Sequence, residues 1–180
     1  MKTIFLIGGA PRSGKTNTLK EFFGVSDVKR LNPMRLLEKN VDGKKVYAVG
    51  LTSPQELTME ALRYKGGGFC KFEEVIKRIR KRMKKCDRKD PTIAYALLIP
   101  CTFFVENGRL NETCITEPMK WLDAEGFKVF VIHLRKEEEN PPLDLEDVLM
   151  KRLQARTIKS NKDYKRQATE LEHLIGELDP

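Results

Sequence analysis

The stretch Gly8-Gly9-Ala10-Pro11-Arg12-Ser13-Gly14-Lys15-Thr16 decides how this chain reads, because it is a turn almost devoid of apolar side chains close to the start of the sequence. Gly9, Gly14, Lys15 and Thr16 fall at the spacing G-x-x-x-x-G-K-[ST], the pattern of a loop whose main chain grips phosphate. Backbone N–H groups converge on an anion only through a tight turn, and glycines take dihedral angles there that other residues resist. Gly9 and Gly14 bracket the turn, and Ala10, Arg12 and Ser13 lie inside it as further cradle residues, Arg12 with a side chain able to reach phosphate. The pattern directs Lys15 to the terminal phosphates as a point charge and the Thr16 hydroxyl to a magnesium ion bridging them. A helix starting behind the loop adds free N–H groups and the positive end of its dipole.

The flanks agree with this reading. Upstream, Thr3-Ile4-Phe5-Leu6-Ile7 is a short run of β-branched and aromatic residues, predicting a strand buried on both faces. Downstream, Leu19, Phe22 and Phe23 recur at helical spacing. Strand, glycine loop and helix therefore follow one another in the order that phosphate binding demands.

On these residues the chain resembles the P-loop NTPases, and more narrowly their small single-domain kinase-like members. The specific part of the resemblance covers residues 4 to 23; the remainder is similar in length, element order and the style of its C-terminal region. The resemblance implies ATP and Mg2+ as cofactors. It implies phosphoryl transfer to a small molecule or nucleotide, with Lys15 in a catalytic role.

At 180 residues the chain suits one domain spanning 1–180, large enough to bury a core without staples. Apolar residues make up 40% and charged residues 33%, an ordinary globular balance. The apolar runs are too short to cross a bilayer, and the N-terminal strand runs straight into the loop instead of forming a signal peptide. A soluble cytoplasmic protein with no membrane partner is expected. Cys70, Cys86, Cys101 and Cys114 form no C-x-x-C pair and stand beside only 2 histidines, which argues against zinc. The cytosolic expectation disfavours disulfides as well. Cys86 reads as a small apolar residue on a helix, and Cys101 as the one cysteine near a strand end.

Further along, Val28 to Leu31 reads as a short strand, and Asp42-Gly43-Lys44-Lys45 as a turn leading into Val46 to Leu51, as a hairpin or a crossover. Ser53-Pro54-Gln55-Glu56 carries the signals of a helix start, and that helix runs to about Tyr64 before Gly66-Gly67-Gly68 breaks it. Phe72, Val75, Ile76, Ile79, Met83 and Cys86 define one face of a helix over 71–86. Thr92 to Ile99 predicts a buried strand stopped by Pro100, Thr113 to Glu125 a helix with Pro118 in its first turn and Gly126 at its end, and Phe127 to Leu134 another strand. After Pro141-Pro142, Asp144 opens a helix through Leu145, Val148, Leu149 and Leu153, and Ser160 or Asn161 caps a last one carrying Tyr164, Ala168, Leu171, Ile175 and Leu178. Apolar strands alternating with helices predict an α/β fold, a three-layer α/β/α sandwich around a mainly parallel sheet.

In open α/β sheets ligands gather beyond the carboxyl ends of the strands, which singles out the loop, Thr52-Ser53, Cys101-Thr102 and Arg135. A strand-end aspartate, common in P-loop enzymes, is missing after the clear strands. Asp27, Glu56 and Glu106 are the substitutes, against plainer roles as surface charge for Asp27 and Glu106 and a capping box for Glu56. Small P-loop kinases spread transition-state charge with an arginine-bearing lid. Arg152 and Arg156, an i, i+4 pair on the expected penultimate helix, resemble such a lid within residues 143–166 and are the further catalytic candidates. Lys159, Lys162 and Arg166 follow them; the plainer role for all five is an exposed charged helix face.

The net charge of +8 is concentrated in residues 77–89, nine of which are Lys or Arg. Such a run suits nucleic acid through its phosphates, although no aromatic residue interleaves it to stack bases, and a solvated helix face opposite an apolar one is the plainer account. Two functions follow as expectations. One is a kinase-like phosphotransferase using ATP and magnesium. The other is a nucleotide-dependent binding module or nucleic-acid-associated ATPase. No N-K-x-D-like sequence that would read guanine occurs, which favours adenine.

Overall fold

The computed structural model of the chain describes residues 3–10, 12–25, 37–48, 80–81, 84–85, 87–88, 95–102, 105–106, 109–110, 113–136, 150–151 and 153–178. Strand β1 (Thr3–Gly9) is the centre of the molecule, and all 7 of its residues are buried, as its unbroken apolar run demands. The loop then turns into helix α1 (Lys15–Phe23). Strands β2 (Glu38–Val41) and β3 (Lys44–Ala48) form a hairpin, followed by β4 (Tyr95–Thr102) and a small hairpin of β5 (Val105–Glu106) and β6 (Arg109–Leu110). Helix α2 (Thr113–Ala124), strand β7 (Lys128–Lys136), strand β8 (Arg156–Ser160) and helix α3 (Tyr164–Leu178) complete the order.

One 6-stranded sheet has the order β2-β3-β4-β1-β7-β8. The five strands from β3 to β8 in that order run parallel, and β2 is antiparallel at one edge. The fold is therefore α/β with a mainly parallel sheet. Alternation along each strand sends Phe5, Ile7, Val46, Ala96, Leu98, Phe130, Ile132, Leu134 and Ile158 into one core with Leu19 and Phe22 of α1 and Ala168, Leu171 and Ile175 of α3. The Phe5 and Phe130 rings stack there at 5.4 Å. The intervening residues Ile4, Leu6, Tyr47, Val131 and His133 are buried too. Helix α2, with Leu122 buried, lies against β4 and β7.

Turn chemistry explains several boundaries. Asp42 at φ 48° and Gly43 at φ 82° make the two-residue turn of a β2–β3 hairpin, which settles hairpin over crossover. Helices α1 and α2 both end in a left-handed glycine: Val25 N–H donates to Lys20 O at 2.9 Å beyond Gly24, and Phe127 N–H to Leu122 O at 3.1 Å beyond Gly126. Pro118 is in the second turn of α2, not its first, where it cannot donate to the carbonyl of Cys114. Strand β4 continues through Pro100 to Thr102 instead of stopping there; its described pairing with β3 ends at Leu98, while its pairing with β1 runs on to Gly9.

The largest departure from expectation lies before α3. Met150 and Lys151 are helical, but Gln154 at φ 49° ends that helix, with Ala155 N–H donating to Met150 O at 3.0 Å. Residues 156–160 then form an edge strand parallel to β7. The cap of α3 is Asp163, whose Oδ1 accepts from Arg166 N–H at 3.1 Å, in place of Ser160 or Asn161. The expected apolar face of α3 is observed, with Gln167 added to it. The strand at 28–31, the helix starting at Ser53, the glycines 66–68, residues 71–79 of the basic helix, Cys70 and Cys86, and residues 144–149 lie outside the described residues. Among the described residues no helix is long and apolar enough to cross a membrane.

The Gln154 turn predicts the sign of a substitution. Gln154→Gly relieves a left-handed penalty of about 1–2 kcal/mol at the cost of about 0.5–1 kcal/mol of glycine entropy, so the net gain is about 0.5–1 kcal/mol. Thermal unfolding should show a higher midpoint. Were the helix to continue through 156, the same change would lower stability by about 1 kcal/mol.

Candidate functional site

Strand β1 delivers the chain to the carboxyl end of the sheet at Gly9, which is level with Thr102 of β4. The loop then reverses direction through left-handed residues at Arg12 (φ 62°) and Gly14 (φ 85°). Glycine is required at position 9 for a different reason. A Cβ there would stand 2.4 Å from Ser13 Oγ and 2.7 Å from Leu134 O, the second a backbone atom of β7. At Gly14 a Cβ would meet the Tyr164 ring at 2.7 Å in addition to the strained φ.

Gly14 is the N-cap of α1 and offers no side-chain cap, and the first turn carries no acidic residue. The first helical bond is Thr18 N–H to Gly14 O at 2.9 Å, so the amides of Lys15, Thr16 and Asn17 are not used in the helix ladder. This is the arrangement that favours an anion. Lys15 is 5% exposed, and its side chain folds back into the loop. Its Nζ donates to Gly9 O and Ala10 O, each at 2.8 Å, and to Ser13 Oγ at 3.3 Å. Desolvating an ammonium costs several kcal/mol, and hydrogen bonds from a charged donor contribute about 1.5–3 kcal/mol each, so the three acceptors together offset the burial. Thr16 is half-buried on the first turn, and Arg12 is exposed at the apex.

Behind the loop lies a polar cluster that sequence reading missed. Ser160 Oγ, at the end of β8, donates to Ser13 O at 2.7 Å. Gln167 Nε2 of α3 donates to Ser160 Oγ at 3.4 Å, and Gln167 Oε1 accepts from Thr18 Oγ1 of α1 at 2.6 Å. Gln167 and Thr18 are fully buried. The rule that residues after parallel strands matter would have found Ser160 had 156–160 been read as a strand.

The structure brings Gly9, Ala10, Arg12, Ser13, Gly14, Lys15 and Thr16 together, with Cys101 and Thr102 of β4 level with Gly8 and Gly9. Arg156 is not on a helix with Arg152. It opens edge strand β8, exposed and level with Ile132, two rungs short of the loop. The segment 156–166 of the expected lid is thus a sheet strand, a turn and the start of α3, tied to the loop from behind. Arg135 is within β7 instead of beyond it, and Glu106 is in β5, opposite Arg109. Arg152, Asp27, Glu56 and Thr52-Ser53 lie outside the described residues, as does Pro11 of the loop. Among the described residues no group of three or more His, Cys, Asp and Glu could hold a metal ion.

No protein-family model and no curated protein matches this sequence. Among solved structures, a solution NMR structure described as a "De novo designed PLOOP2X3_50 fold protein" aligns with 99% of this chain and 94% of its own, at 13% identity and a TM-score of 0.42. A likeness that remote carries no argument about the site.

The close approach at Gly9 is testable by stability alone. Gly9→Ala should cost about 1–3 kcal/mol in chemical denaturation, the range for overpacking, because Leu134 O is main chain held in the sheet. A variant as stable as the parent would show that the loop does not pass this close to β7.

Proposed function

We propose that the chain binds ATP with magnesium at residues 9–16 and acts as a kinase-like phosphotransferase on a small molecule or nucleotide. One observation carries this reading. The Lys15 ammonium is buried inside a loop that ends in the uncapped N-terminus of α1, at the carboxyl end of a central parallel strand. Three features that attract phosphate therefore coincide: a fixed cation, amides outside the helix ladder and a helix dipole. A phosphate oxygen is a stronger acceptor for Lys15 than the neutral carbonyls it now meets, since it adds the attraction of a negative charge at close range.

Topology supports the choice of site and a three-layer α/β/α arrangement. The chain leaves β1 toward β3, whereas it leaves β4 and crosses to β7 on the far side of β1. Right-handed crossovers in opposite directions put α1 and α2 on opposite faces of the sheet. The connections that follow the neighbouring strands β1 and β4 thus lie on opposite faces of the sheet, which favours an open groove beyond their carboxyl ends, at the loop.

The residues present fit a triphosphate: the buried Lys15 ammonium lies beside the first turn of α1, whose N-cap Gly14 makes no side-chain cap bond. On this reading Lys15 holds the terminal phosphates, Thr16 offers its hydroxyl to magnesium, and Arg12 lies at the outer rim. When bound, the nucleotide supplies the transferable phosphoryl group and magnesium screens its charge. The lack of a guanine-reading sequence favours adenine. Replacing the ammonium tests the assignment. In titration calorimetry, ATP with magnesium should bind the parent and bind Lys15→Ala about 10–100-fold more weakly, the worth of one charge-assisted hydrogen bond. Equal affinity would remove the assignment.

A second reading is favoured by the exposure of Arg80, Lys81, Lys84 and Arg88, with Arg80 paired to Glu125 of the turn after α2. It makes the chain a nucleotide-dependent binding module or ATPase whose basic face meets nucleic acid. Binding of single-stranded RNA should then fall steeply with salt and be lost when Lys81, Lys84 and Lys85 are changed to Gln. No binding at moderate salt would eliminate this reading.

A further inference from the structure

We propose that Ser160 and Gln167 are positioning residues for the anion cradle, setting the direction of the Gly14 N–H; the inference rests on the nucleotide-binding reading above. It starts from the direction of two hydrogen bonds. Gln167 Oε1 accepts from Thr18 Oγ1, which leaves Nε2 as the donor toward Ser160 Oγ. Because Ser160 Oγ accepts that bond, its own proton is directed at Ser13 O. The amide, the hydroxyl and the carbonyl form a polarised chain with one sense only.

That chain ends on a peptide plane. In a trans peptide the C=O and the following N–H point in opposite directions, so a bond that draws Ser13 O toward β8 aims Gly14 N–H away from β8. Position 14 has no side chain to hold this plane and has a φ of 85°, where glycine moves freely. The restraint must come from outside the loop. It comes from Ser160, 147 positions from Ser13 in sequence, through a cluster in which Thr18, Gln167 and Ser160 are 0%, 0% and 7% exposed. Buried hydroxyl and amide groups so fully engaged are costly to rearrange. Tyr164, whose ring would lie 2.7 Å from a Cβ at position 14, closes the same side of the loop.

The consequence is a cradle organised before its ligand arrives. Without the Ser160 hydroxyl the Ser13–Gly14 peptide is free to rotate, and its amide must be fixed again when phosphate binds. The expected loss is about tenfold in affinity, the size of one hydrogen bond.

The test measures binding of ATP with magnesium, and of inorganic tripolyphosphate, to the full chain by calorimetry, beside thermal midpoints. Ser160→Ala should remain folded and bind both about tenfold more weakly, Ser160→Thr should restore most of the affinity, and Gln167→Met should weaken binding in the same direction. Folded Ser160→Ala or Gln167→Met protein that binds as tightly as the parent overturns the proposal, even if its midpoint falls, because that outcome marks a structural role only. A measurement on the parent needs no variant: the Gly14 amide resonance should move downfield on saturation with tripolyphosphate, and a saturated protein in which it stays put also overturns the proposal. A parent that binds neither ligand refutes the nucleotide reading itself, and this inference with it.

Discussion

A buried ammonium at the carboxyl end of a parallel strand is the constraint that organises this molecule. Lys15 is nearly inaccessible, and its Nζ is held by carbonyls of Gly9 and Ala10 and the hydroxyl of Ser13. Those acceptors can face a common point only if the chain reverses within five residues, which accounts for the left-handed turns at Arg12 and Gly14. The reversal in turn presses Gly9 against the main chain of β7, where nothing larger than hydrogen fits. One desolvated charge thus bears on the glycines at positions 9 and 14.

The loop is also a joint between separate parts of the fold. Strand β7 meets it at Leu134, β8 through Ser160, and α3 through Tyr164 and Gln167. Helices α1 and α3 pack together over one core, and the Thr18–Gln167 bond is the polar contact inside that packing. Burial of Leu19, Phe22, Leu171 and Ile175 supplies the stability, at roughly 1.5–3 kcal/mol for each large apolar side chain. The polar cluster contributes less energy and more direction. Segment 156–166 belongs to this foundation, since a strand paired along β7 and a helix docked on α1 cannot swing as a lid.

What was legible in the sequence follows from the range of the signal. The β1 run, the helix that follows the glycine loop, the Asp42-Gly43 turn and the Gly126 stop are local patterns, and the structure reproduces them. Strand β8 was illegible because Arg156-Thr157-Ile158-Lys159-Ser160 has a single large apolar residue, as an edge strand can, and because the helical period ending at Leu153 runs up to it. The stop between them is a glutamine in a conformation that usually calls for glycine. Pro100 misled for a similar reason, since it reads as a terminator yet lies inside β4. The cluster behind the loop left no period at all, because Ser13, Thr18, Ser160 and Gln167 meet only through tertiary packing.

The far wall of the crevice bears on how a triphosphate would be held. Strand β4 reaches the level of Gly9 with a threonine, and the first carboxylate after it, Glu106, is already in the β5–β6 hairpin and paired in register with Arg109. Magnesium retains several waters and commonly takes only one or two protein groups beside phosphate oxygens, so on the proposed reading a hydroxyl at Thr16 would suffice as a direct anchor. A weaker hold on the metal places more of the binding on Lys15 and on the main-chain amides. Amides contribute fully only when their peptide planes are fixed in advance, because each plane ordered on binding subtracts conformational entropy from the affinity. A site poor in carboxylates among the described residues would therefore have the greater need of a rigid backing, and the hydroxyl and amide groups buried behind Gly14 are placed to provide it.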